Sequence, residues 1–182
     1  KHFYTTPSYF VEEGVLWKPK IKRKEGNEMT NLFDLNGKVA LVAGGSSGLG
    51  VQFAKALAGQ GAKIALVARR VNKLEENKKV IEELGTECIT HFVDLQDSNT
   101  ITKCVEDVLG HYGRIDILVN SAGIKGVGVG AEQSDDDWMK VLDSNLNGPY
   151  YMMREVARLA MIPQNYGKII NVCSIHAYVA RI

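Results

Sequence analysis

The chain has 182 residues, 45% of them apolar, and its 22 Lys and Arg against 21 Asp and Glu leave a net charge of +1. That length and apolar content suffice for one substantial core, and the balanced charge excludes the strongly basic surface with which proteins grip nucleic acid. No apolar run approaches a bilayer span, nothing resembles a secretory signal, and Cys88, Cys104 and Cys173 lack metal-ligand spacing and cannot all pair with one another, so a reduced, cytoplasmic setting is expected.

Residues 1–30 mix scattered aromatics, Pro7, Pro19 and a charged run from Lys18 to Lys24 without a persistent period, and read as a poorly ordered tail ahead of a domain over 31–182. Lys24-Glu25-Gly26 can be encoded by a purine-rich stretch resembling a bacterial ribosome-binding site at a suitable distance before Met29, so part of the tail reads as non-native coding sequence. The competing reading is a basic arm that touches a partner.

Val39 to Val42 form a short apolar run that reads as a strand buried on both faces, and Val51, Phe53, Ala54, Leu57 and Ala58 then recur at helical spacing. Between them stands Gly44-Gly-Ser46-Ser47-Gly48-Leu49-Gly50. Glycines at such a join allow a tight turn and close backbone approach, and Ser46 and Ser47 add hydroxyls beside the N–H groups of the helix start, the arrangement that holds a pyrophosphate. Ile64 to Val67 supply the second strand of a βαβ unit, at whose end a dinucleotide-binding protein reads the adenosine ribose. That position is Ala68, followed by Arg69 and Arg70. The missing carboxylate and the guanidinium groups suit the 2′-phosphate of NADP better than the paired hydroxyls of NAD, with Arg69 as the expected reader.

Further along, a helix over 72–84, a strand over 87–93, a helix over 98–112, a strand over 115–119, one long helix over 135–161 and a strand over 168–173 alternate, with Gly113, Pro163 and Gly167 at the joins. The pattern predicts an α/β fold, a Rossmann-type doubly wound parallel sheet. Trp138, Leu142, Leu146 and Met153 are expected to turn toward that sheet. Pro149 stands four residues after Asn145, so the N–H that would bond the Asn145 carbonyl does not exist. Either that carbonyl is released inside the helix, or Pro149 ends the helix and Asn145 is a buried cap.

Gly44-x-x-x-Gly48-x-Gly50, Asp94-Leu95, Asn120-Ser-Ala122-Gly123, Asn145 and Ile170-Asn-Val-Cys-Ser174 together resemble the short-chain dehydrogenase/reductase family in order and spacing, over Leu35 to about His176. The opening Asn31-Leu-Phe-Asp-Leu-Asn-Gly-Lys38 and the Gly-Ser-Ser-Gly-Leu-Gly loop look most like the bacterial gluconate 5-dehydrogenases and related sugar-acid or polyol reductases. The resemblance implies hydride transfer between a nicotinamide and a secondary alcohol or ketone, a small-molecule substrate and a homo-oligomeric whole protein; NADP as cofactor is expected from Ala68, Arg69 and Arg70, and no nucleic-acid or membrane partner from the charge balance and the short apolar runs. It implies that Asp94 accepts from the adenine amino group beside the Leu95 backbone, that Asn120, Ala122 and Gly123 pass under the adenosine side, that the Asn145 carbonyl holds a relay water, and that Ser174 bonds the substrate oxygen.

Departures from the family pattern are Ala43 for threonine, Ser121 for asparagine and Cys173 for serine. The family's Tyr-x-x-x-Lys is expected about a dozen residues beyond Ser174, which is past Ile182; Tyr178 is followed four residues later by Ile182, and His176 is not expected to replace the tyrosine. The sheet is therefore expected to be incomplete at its C-terminal side, the strand ending at Cys173 to be an exposed edge, and the chain by itself to turn over little substrate. The alternative of another class is a dinucleotide-binding or regulatory partner protein without chemistry.

Overall fold

A computed structural model describes residues 31–126 and 130–174. The tail over 1–30, the Met29 boundary, His176 and Tyr178 lie outside the described residues. Five strands, β1 (Val39–Ala43), β2 (Lys63–Ala68), β3 (Cys88–Phe92), β4 (Ile117–Asn120) and β5 (Lys168–Asn171), form one sheet in the order β3-β2-β1-β4-β5. Every pairing is parallel. The chain leaves β1 in both directions across the sheet, so the order reverses between β1 and β4, and the crevice beyond their C-terminal ends is where this architecture places ligands.

Among the described residues, α1 (Leu49–Ala58), α2 (Val71–Glu82), α3 (Ser98–Tyr112) and α5 (Gly148–Val156) cover the sheet, while α4 (Asp135–Leu142) stands off it. Alternation along the strands feeds two cores. Ala40, Val42, Ile64 and Leu66 face Ala54 and Ala58 of α1 and Leu74 and Ile81 of α2. Val39, Leu41, Ala65 and Leu118 face Ile101, Val105 and Val108 of α3 and Met152 and Val156 of α5. Both faces of β1 are therefore covered, which is why its sequence is apolar at every position. The ends of α3 are set locally: the Asp97 side chain accepts from the Asn99 N–H, and Gly113 closes the helix at φ 74°. Burial pushes the Cys88 and Cys104 thiols up to about 12, and both are unpaired.

The long helix departs from expectation. It is interrupted by wide, π-type turns over Asp143–Asn147 and Ala157–Met161. In the first, the Gly148 N–H donates to the Asp143 carbonyl five residues back. The wider turn makes room for the Pro149 ring, which in a regular α-helix would collide with the Asn145 carbonyl, and so the helix passes through Pro149 rather than ending there. The buried positions Ser144, Gly148, Met152, Val156 and Ala160 consequently recur every fourth residue. Trp138 and Leu146 are 54% and 61% exposed, not turned to the sheet, and no residue of α4 is buried.

At the edge, β5 pairs only with β4 among the described residues, and Ile169 and Ile170, on opposite faces, are 39% and 48% exposed.

One polar device holds β1 to β4, and a second joins β4 to β5. Asp116, fully buried just before β4, accepts from the Val39 N–H at 3.0 Å and from Arg114 Nε at 2.7 Å, with Lys38 Nζ at 3.6 Å. Burial pushes its carboxyl up, but the hydrogen bonds from Arg114 and Val39 and the charges of Arg114 and Lys38 outweigh that and leave it below its ordinary value. Asn120, at the end of β4, donates through Nδ2 to Asn171 Oδ1 at 2.9 Å, while its own Oδ1 is buried without a partner. Ala43 is its register neighbour on β1 and shares its face. The threonine of the family pattern would offer a hydroxyl there.

Asp116→Asn is expected to lower unfolding free energy by about 3 kcal/mol at neutral pH. Because the folded-state value is depressed, this contribution is complete above the ordinary carboxyl range and is lost as pH falls through the folded value. Urea unfolding of both proteins should show the gap closing in acid; a gap that is constant with pH would count against the ionised carboxylate. Separately, Ala43→Thr should be more stable than the isosteric Ala43→Val by about 1 kcal/mol in the same assay, because only the hydroxyl can donate to Asn120 Oδ1.

Candidate cofactor cleft

The chain leaves β1 through a loop shaped by two close approaches. Gly44 has φ 91°, and a Cβ there would lie 2.6 Å from the Ala122 nitrogen on the loop after β4. A Cβ on Gly50, in the first turn of α1, would lie 2.3 Å from the Gly44 carbonyl oxygen. Only glycine permits either contact. The Gly44 and Gly45 N–H groups donate to the Val67 carbonyl at 2.9 and 3.2 Å, which fastens the loop to the end of β2.

The result is a cleft of about 490 Å³ at the topological reversal. Of the expected cofactor residues, Gly44, Ser46, Ser47, Gly48, Leu49, Arg69, Asp94, Leu95, Ala122 and Gly123 line it. Gly48 precedes α1 with no side-chain cap, and the first turn of α1 carries no acidic residue. The leading N–H groups and the positive end of the helix dipole are therefore available to an anion, as a bound pyrophosphate requires. No group of three or more His, Cys, Asp or Glu able to hold a metal occurs among the described residues.

The remaining expected residues stand behind the lining. Gly50 is packed against the loop backbone. Asn120 faces the core and reaches Asn171, whose Nδ2 lies 3.3 Å from Met153 Sδ, so its role in this structure is to join β4, β5 and α5. Asn145 is exposed rather than a buried cap, and its side chain clamps one peptide: Oδ1 accepts from the Ile124 N–H at 2.8 Å and Nδ2 donates to the Ile124 carbonyl at 2.7 Å. Ile124 lines the cleft, so the Pro149-induced wide turn positions the cleft wall through Asn145. Ser174 follows β5 on exposed backbone and is not among the lining residues.

Other contributors are less evident from sequence. Asp94 Oδ1 accepts from the Gln96 N–H at 3.1 Å, and Gln96 Nε2 reaches Ser144 Oγ at 3.1 Å, tying the loop after β3 to the first wide turn. Ser144, 7% exposed, lines the cleft beside Leu95. From α2, Asn77 Nδ2 donates to the Gly45 carbonyl at 3.1 Å, and Arg70, the residue before α2, donates through Nη2 to Ser46 Oγ at 3.0 Å and Ser47 Oγ at 2.5 Å.

Residues 38–182 match the short chain dehydrogenase family profile. Gluconate 5-dehydrogenase of Gluconobacter oxydans is 36% identical over 151 residues, covering 83% of this chain and 59% of its own length. The 11-beta-hydroxysteroid dehydrogenase 1A of Arabidopsis thaliana is 39% identical over 147 residues, 80% of this chain and 42% of its own. Among solved structures, an NAD+-bound xylitol dehydrogenase superposes with a TM-score of 0.78 at 32% identity, covering 81% of this chain and 56% of that one. A metagenomic short-chain oxidoreductase in complex with NADP does so at 0.76 and 36%, covering 81% and 66%. The chain thus spans about two fifths to two thirds of the length of these relatives. With five motifs in register, the parallel sheet and the glycine-shaped cleft all in agreement, the chain belongs to the short-chain dehydrogenase/reductase family.

Proposed function

We propose that these residues form the nucleotide-binding portion of an NADP-dependent oxidoreductase that moves a hydride between the nicotinamide and a secondary alcohol or ketone, of the sugar-acid or polyol class. The observation that carries this reading is a single cleft joining the uncapped start of α1 to a cationic mouth at Arg69 and Arg70, with Ala68 where an acidic reader of the ribose would stand. Guanidinium groups pair with a phosphate monoester, whereas an NAD-selective site uses a carboxylate to accept from the ribose hydroxyls. Relatives solved with NAD+ and with NADP both superpose on this fold, so the preference is read from these side chains.

In that reading Asp94 and Leu95 take the adenine and Ala122 and Gly123 underlie the adenosine. Asn145 offers a carbonyl that Pro149 cannot satisfy, and Ser174 stabilises charge on the substrate oxygen. The bound nicotinamide supplies or accepts the hydride. The buried, unpaired thiols of Cys88 and Cys104 support a reducing, cytoplasmic location. No described helix is long and apolar enough to cross a membrane.

Titration calorimetry with NADP and NAD should show NADP binding more tightly by about tenfold to a hundredfold, the worth of charge-assisted hydrogen bonds to one phosphate. Arg69→Ala should reduce that ratio by about tenfold with little change for NAD. Equal affinities in the unsubstituted protein would overturn the NADP assignment.

A further inference from the structure

The loop after β3 is seated on the first wide turn at two points of one helical stripe. A Cβ on Gly148 would lie 2.5 Å from Leu95 Cβ and 2.8 Å from the Leu95 carbonyl oxygen, so it is the bare backbone of Gly148 that lets Leu95 rest there. One turn earlier, Gln96 Nε2 donates to Ser144 Oγ at 3.1 Å and to the Lys140 carbonyl at 3.5 Å. A primary amide nitrogen carries two hydrogens, and here each has its own acceptor, one in the last turn of α4 and one in the wide turn. The backbone of the same residue is committed to the cleft, because the Gln96 N–H donates to Asp94 Oδ1 at 3.1 Å. On the helix, Asn145 follows Ser144 and holds both the N–H and the carbonyl of Ile124. Asp94, Leu95, Ile124 and Ser144 all line the cleft. No residue of α4 is buried, so apolar packing does not locate this end of the long helix, and a directional polar contact is left to do it.

We infer that Gln96 is a positioning residue of the cleft: through Ser144 and Lys140 it ties the loop that presents Asp94 to the Asn145 clamp on Ile124, so that two separate walls of the cleft are held as one unit. A ligand that fixes the Asp94 loop then also steadies the Ile124 peptide, which it need not touch.

The test is amide hydrogen exchange by NMR on the whole chain and on Gln96→Ala, Gln96→Glu, Ser144→Ala and the Gln96→Ala/Ser144→Ala double variant, read at the Ile124 N–H and, as a control, at the N–H of Val119, which is buried in β4. Without ligand, Gln96→Ala should speed exchange at Ile124 by about fivefold to tenfold and leave Val119 within about twofold. Gln96→Glu keeps the chain length, loses both donated hydrogens and sets a carboxylate against the Lys140 carbonyl, so it should exchange at least as fast as Gln96→Ala. In the Ser144→Ala background, Gln96→Ala should add markedly less. Unchanged exchange at Ile124, equal acceleration at Ile124 and Val119, or fully additive effects of the two substitutions would each overturn the inference. A second arm rests on the nucleotide-binding reading above and uses 5′-AMP at saturation. It should slow exchange at Ile124 in the parent protein and not in Gln96→Ala, and slowing that survives in Gln96→Ala would overturn the coupling. If 5′-AMP does not bind the parent, the nucleotide reading falls, and the comparison without ligand still decides the role of Gln96.

Discussion

The contact between two backbones at the reversal of strand order, Gly44 against Ala122, is what the rest of the cleft depends on. With 2.6 Å between a hypothetical Gly44 Cβ and the Ala122 nitrogen, no side chain can stand there. The loop after β1 can therefore lie on the loop after β4, and from that position it turns back into α1 with the helix N-terminus facing ligand. The adjoining strands must hold their spacing for this to work. Asp116, buried just before β4 and bonded to the Val39 N–H, sets one end of the pair, and at the other end Ala43 stands in register with Asn120. The shape of the cleft at the surface is in this sense a product of packing at the centre of the sheet.

Those parts were legible in sequence because their signals are local. The apolar run at Val39 to Val42, the glycine spacing and the absent carboxylate at Ala68 each identify themselves within a few residues. Pro149 announced that something happens to the Asn145 carbonyl, yet the outcome depends on the helix widening by one residue. A 3.6-residue period then misassigns the faces: Trp138 and Leu146 project toward the sheet on paper and toward solvent in the structure, since the buried stripe recurs at every fourth residue from Ser144 to Ala160. Side-chain bonds across long separations, such as Arg70 to Ser46 and Gln96 to Ser144, left no periodic trace.

The first wide turn also links what sequence motifs keep apart. Asn145 holds the Ile124 peptide by two hydrogen bonds, and Ser144 next to it receives Gln96 from the loop that presents Asp94. The Asp94 side of the cleft and the wall at Ile124 are thereby joined through two consecutive residues of one helix. A residue such as Asn145 has two separable uses, a side chain that braces the wall and a carbonyl that Pro149 leaves without its usual donor.

The bond from Asp116 to Val39 joins residues 77 apart in the chain. While the polypeptide emerges vectorially from the ribosome, β1 can pair with β2 early, but its second edge stays bare until β4 has been synthesised, and the loop-closure cost of bringing them together is met only then. The glycine loop after β1 has no floor before that moment. The cleft is accordingly a late acquisition of the nascent chain, and any ligand that binds only the closed arrangement draws the folding equilibrium toward it.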